Sequence, residues 1–162
     1  MTLRDFDFAL AELRSSAQSD DPASIEKRAM ELLQSVSLVD DITPDNKSEF
    51  SDLQCQLLTR LSTLCRDRNA LDEALNYAQS AIAIAEESNL QPSLAVAYRL
   101  AGEAHSRKHE NADALQSFQK AFELQEGLKN KRGMAMIARE LGILFNRTSE
   151  YVQALEYSHQ SL

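Results

Sequence analysis

The sequence predicts an all-α fold, a right-handed superhelix of antiparallel helix hairpins, and three observations predict it. A forty-residue period is the first: Ala74-Leu75, Ala114-Leu115 and Ala154-Leu155 recur with it, as do Ser62, Gly102 and Gly142, and then Ile82, Phe122 and Leu162. A fixed spacing in this range marks stacked supersecondary units, each burying its apolar face against the next. The second is punctuation: four glycines and three prolines in 162 residues leave long uninterrupted stretches. The third is that apolar residues in those stretches fall three and four apart, the spacing of one helical face.

The elements follow in order. Leu3, Phe6, Leu10, Leu13 and Ala17 form a first stripe. Asp20, Asp21 and Pro22 end it and start the next helix, with Asp21 as N-cap and Pro22 at the first helical position. Ile25, Ala29, Leu32, Leu33 and Val36 make the second stripe, and Leu38 to Asn46, with Pro44, is a loop. This divides the chain into an N-terminal hairpin, 1–45, and a periodic region, 46–162, of three units with the last incomplete. Within that region Asn69 is expected to cap the helix starting near Leu71, Gln91-Pro92 opens the next, and Asn111 precedes another. Asn130 to Gly133 is expected to link two hairpins, and a last helix starts near Tyr151. Small residues at 62, 102 and 142 lie twelve before the alanines at 74, 114 and 154, which predicts close backbone approach inside each hairpin.

These columns resemble the tetratricopeptide repeat, in its long-period variant, over roughly residues 55–162. The small column is Ser62, Gly102, Gly142; the alanine columns are Ala74, Ala114, Ala154 and Ala81, Ala121, Ser161; between them stand Ala78, Phe118 and Ser158. The family's usual period is about 34, and its tryptophan is replaced here by Leu58, Tyr98 and Ala138. The six extra residues are expected in Glu86–Ser93 and Glu126–Gly133. The resemblance implies a protein-interaction module that holds a peptide or partner helix in a concave groove lined by the first helix of each hairpin. Carried onto that helix, it implies a partner-binding set of Arg99, Glu103, Arg107, Arg139, Asn146 and Arg147. It also implies an alternative, the N-terminal sensory or dimerising region of a larger bacterial signalling protein, ahead of an output domain such as a diguanylate cyclase (GGDEF).

Charge narrows the partner. The chain carries a net −8, of which residues 1–52 hold twelve acids and five bases. Such a surface does not suit nucleic acid, whose affinity comes from neutralised phosphates; Lys129, Lys131 and Arg132 read as a solvated loop. Arginine columns on a concave face instead suit an acidic protein or peptide, and the acidic N-terminal hairpin is itself a candidate to reach into a basic groove, of its own chain or a neighbour. No apolar run reaches the roughly 20 residues of a membrane span, and the N-terminus lacks a secretory h-region, so a cytoplasmic location is expected. Cys55 and Cys65, ten apart, read as small apolar residues.

The competing class is an enzyme. His105 and His109, four apart, would share a helical face and form the one metal-like pair. They lack the HExxH order, and His105 shares a packing column with Cys65 and Phe145. No catalytic residue, metal or cofactor is therefore expected. Leu141, Phe145, Tyr151, Leu155 and Leu162 are expected at an under-covered C-terminal end, to be closed by further repeats or by homo-oligomerisation.

The period places Ala114 between the two helices of its hairpin. Ala114→Leu is expected to overpack that contact and lower stability by about 1–3 kcal/mol. Chemical unfolding with an unchanged midpoint would show the register to be wrong.

Overall fold

A computed structural model of the chain describes residues 5, 8–12, 21–36, 42–43 and 45–148. Residues 8–12 are helical, and six further helices follow: α1 (Pro22–Val36), α2 (Lys47–Asp67), α3 (Leu71–Glu87), α4 (Gln91–Arg107), α5 (Asn111–Gly127) and α6 (Lys131–Thr148). No strand occurs among the described residues. The fold is an all-α helical solenoid. No described helix is long and apolar enough to cross a membrane.

The turns explain why the helices repeat so evenly. Asn69, Asn89, His109 and Lys129 stand twenty apart, each with positive φ, between 53 and 65°. Around each, the backbone closes the preceding helix with a Schellman pair of hydrogen bonds. At the first, the Asn69 amide reaches the Arg66 carbonyl at 3.0 Å and the Ala70 amide reaches Cys65 at 2.8 Å. Ala70 then opens the next helix, its carbonyl accepting the Ala74 amide at 3.0 Å. Asn69 is thus the left-handed residue just past α2 and its C-cap Arg68, and not an N-cap; Ala70 occupies that place. Asparagine suits both roles, and only the fit of the turn decides between them. Likewise Asn111 is the first residue of α5, behind Glu110. The link between α5 and α6 is Leu128–Asn130, so Lys131 to Gly133 are already helical. There Asn130 does cap, its Oδ1 accepting the Gly133 amide at 3.1 Å. The extra residues of the long period lie in helix, with only three residues left at each turn.

Each helix packs on the next, but alternate helices touch in one layer only. α2 meets α4 and α4 meets α6, whereas no such contact joins α1, α3 and α5. Closer approach on one side bends the stack, so α2, α4 and α6 line its inner face. Leu10, Ile25 and Ala29 share a core with Phe50, Leu53, Leu57 and Leu61, which continues the packing of the N-terminal helices onto α2. At the other end Leu141 and Phe145 are buried with Phe118 and Phe122, not left at an open end as expected. The reason is that their helix face turns toward α5. Tyr151, Leu155 and Leu162, together with Pro44, Ser158 and most of the first stripe, lie outside the described residues.

Ala74 and Ala114 are fully buried, as the period requires. In the small column, the Ser62 hydroxyl donates to the Ala74 carbonyl at 2.8 Å. A Cβ on Gly102 would stand 2.7 Å from the Phe118 ring, and Phe118 is itself fully buried. A Cβ on Gly127 would meet nothing within 4 Å.

Two alanine substitutions should therefore differ in sign. Gly102→Ala is expected to lose about 1–3 kcal/mol to overpacking, despite the better helix propensity of alanine. Gly127→Ala is expected to gain about 0.5 kcal/mol or more, because propensity acts there alone. Urea unfolding of both variants checks this; equal gains would show that Phe118 does not seat on Gly102.

Candidate functional site

On the inner layer, where α2, α4 and α6 approach, lies a cavity of about 440 Å³. Arg66 enters it from α2, Arg99, Glu103, Ser106 and Arg107 from α4, and Met136, Arg139, Glu140, Ile143 and Arg147 from α6. Five arginines against two glutamates leave a formal excess of three positive charges, in a chain whose net charge is −8. Met136 and Ile143 are 45% and 49% exposed, large apolar side chains that the fold leaves on the cavity wall.

Period and helix geometry position these groups. Glu103, only 9% exposed, gives one carboxylate oxygen to Arg66 and the other to Arg99. It therefore ties α2 to α4 while holding two guanidinium groups in fixed orientations. Burial pulls the Arg66 guanidinium down, but Asp67 and Glu103 together hold it above its ordinary value. The next two arginines repeat one device: each reaches back to the preceding unit. Arg107 donates to the Arg66 carbonyl at 2.9 Å. Arg147 donates to Ser106 Oγ at 3.3 Å and to Asn111 Oδ1 at 2.8 Å. Arg139, largely exposed, pairs with Glu140.

Arg99, Glu103, Arg107, Arg139 and Arg147 thus share one cavity. Asn146 does not line it; that side chain is exposed to one side. Arg66, in the same repeat column as Asn146, takes that place instead. Its signal was the repeat itself, since 66 falls one period before Ser106, which also lines the cavity. Met136 and Glu140 were legible as one helical turn before, and the residue after, Arg139.

The paired histidines do not form a pair. α4 ends at Arg107, and His109 is the left-handed residue of the turn, so the helical face that would join it to His105 is broken. His105 Nδ1 instead lies 2.6 Å from Glu110 Oε2, and Lys108 reaches the same carboxylate at 3.1 Å. Those hydrogen bonds, His105 first, hold the Glu110 carboxyl below its ordinary value. His105, Glu110 and Asp113 come close enough to share an ion, but Lys108 already supplies a cation there. Around Cys65 the same holds: Glu26 and Glu73 approach the sulfur, and the Arg68 guanidinium bridges both carboxylates.

No family model matches the chain, and no curated protein matches it. Among solved structures it is similar to the crystal structure of BtubC (BKLC) from P. vanneervenii, with a TM-score of 0.75 and 16% sequence identity. The likeness covers 95% of this chain, which spans 62% of the length of BtubC. At that identity what is shared is the fold.

Both cysteines are free and fully buried. Burial, helped at Cys55 by Asp52, raises each thiol from 9.0 to about 11. A thiol kept neutral in this way stabilises the fold fully below its unfolded value of 9.0, and that contribution is lost as pH climbs through about 11. Native protein is expected to resist iodoacetamide at pH 8 and to be alkylated at both positions in urea. Its unfolding midpoint should fall as the pH passes 9. Rapid alkylation of the folded chain would show that the thiols are open.

Proposed function

We propose that this chain is a non-catalytic interaction module that holds an acidic peptide segment in the groove lined by α2, α4 and α6. The observation that supports this reading is the concentration of guanidinium groups in one concavity of an otherwise acidic molecule. Arginine stays charged at any physiological pH, so it binds and orients carboxylates and does not exchange protons. The arginine fork matches a carboxylate in two parallel hydrogen bonds. Glu103 and Glu140 neutralise part of the charge and leave an excess for a ligand. Met136 and Ile143 add an apolar wall, which favours a peptide over a small inorganic anion. A reducing, cytoplasmic setting belongs to the same proposal, in keeping with two unpaired buried thiols.

The test uses a fluorescein-labelled heptapeptide of glutamates around one leucine. Arg139→Glu with Arg147→Glu is expected to weaken its binding by tenfold or more, leaving helical circular dichroism unchanged. Asn146→Ala, outside the cavity, should bind as the parent does. Added salt should weaken parental binding, because the cavity opens to solvent. Capture indifferent to salt and to both reversals would overturn the reading.

A further inference from the structure

The arginine-rich cavity is one end of a longer trough. It shares Arg99 with a cavity of about 300 Å³. That one shares Gln56, Thr59 and Val96 with another of about 300 Å³, which begins at Asp52 and Pro92. The three follow one another along α4, from Pro92 to Arg107. From Pro92 to Arg107 the helix rises about 22 Å at 1.5 Å per residue, the span of about six or seven residues of extended chain.

The middle of the trough carries chemistry that the arginine-rich end does not explain. Asp52 is fixed from two sides: its Oδ1 accepts the Ser93 hydroxyl at 2.5 Å, and its Oδ2 accepts Gln56 Nε2 at 2.7 Å. That second bond sets the orientation of the Gln56 amide, because only the NH₂ can face a carboxylate. The other end of the amide, Oε1, is left buried with no partner. One helical turn on, Arg60 Nε is also buried with no partner. Among the described residues Arg60 is the one trough arginine for which no ion pair or hydrogen bond is found. The unmatched acceptor and the unmatched donor thus belong to two residues, four apart, that line the same cavity beside the apolar Leu10, Val96 and Leu100. An unmatched buried polar atom is costly, so a ligand that matches both is favoured.

A carboxylate does not match both, since it has nothing to donate to Gln56 Oε1. A peptide unit does: in an extended chain the N–H and C=O of one residue point to the same side, and the side chains alternate between the other two faces. We infer that the Gln56–Arg60 pair reads the main chain of an extended peptide, Gln56 accepting its N–H and Arg60 donating to its C=O. An aliphatic side chain then lies against Leu10, Val96 and Leu100, and an acidic residue about four positions away meets the arginine-rich end. This rests on the acidic-peptide reading and adds to it a binding mode and a spacing.

The experiment is an N-methyl scan of the labelled glutamate–leucine heptapeptide against the full chain, Gln56→Met and Arg60→Met. Methylation at one position is expected to weaken binding to the parent about tenfold and to cost Gln56→Met little, since the acceptor it blocks is already gone. Arg60→Met should lose affinity for the unmethylated peptide without losing its salt dependence. Parental binding that depends on salt yet is insensitive to every N-methyl group and to both variants would overturn this inference and leave the acidic-peptide reading standing. Tighter binding when glutamate replaces the leucine, with methylation indifferent, would also overturn it, by assigning Arg60 to a carboxylate. No salt-dependent binding by the parent at all would overturn both.

Discussion

At Asn69, Asn89, His109 and Lys129 the chain adopts a left-handed backbone, and each such residue both closes one helix and delivers the next after a single further residue. That economy makes α3, α4 and α5 equal, at 17 residues each. Equal helices joined by equal turns put residues forty apart in equivalent positions, and every column in the molecule depends on it. None of the four is glycine, although left-handed geometry costs an L-residue of order 1–2 kcal/mol. Asparagine and histidine tolerate the region better than lysine does. The Schellman hydrogen bonds and the packing of both flanking helices over-determine the turn, so the local cost is borne without a change in path.

From that register follows the asymmetry between the layers. Small residues let α3 and α5 seat on α2 and α4: Ser62 against Ala74, Gly102 under Phe118. The inner helices then touch one another and the outer ones do not. The inward-facing positions of α2, α4 and α6 converge, and five arginines within one cavity would repel strongly if left alone. Glu103 answers that by standing between Arg66 and Arg99, where its burial strengthens both pairs. Arg107 and Arg147 spread their charge onto a carbonyl, a hydroxyl and an amide of the preceding unit. The side chains of the groove are held in place by the same contacts that stack the hairpins.

What was legible in the sequence was whatever the period controls. The helices, the buried alanines and the shared position of Arg99, Arg107, Arg139 and Arg147 all follow from counting in steps of forty. What failed was decided by local three-dimensional fit. Asn69 has the chemistry of an N-cap, and only the turn geometry makes it the left-handed residue that follows a helix. His105 and His109 fit a helical face on paper, but a left-handed residue lies outside the helix whose face it was meant to share. Asn146 and Arg66 occupy the same column, yet Arg66 lines the cavity and Asn146 does not. The unmatched atoms of Gln56 and Arg60 had no signature at all, because an unsatisfied group is defined by what does not surround it.

The likeness to BtubC sharpens this division between fold and site. At 16% identity two chains share a TM-score of 0.75; in this chain the constraints that set the fold are small residues where helices cross, apolar residues between hairpins, and turns of three residues. Those constraints fall on the buried faces of the helices. The inner face is set apart from them, its arginines held by Glu103 and by polar groups of the preceding unit. Arginines there concentrate like charge, which the stack must offset with a buried carboxylate. The likeness therefore speaks for the solenoid and is silent on the groove that it carries.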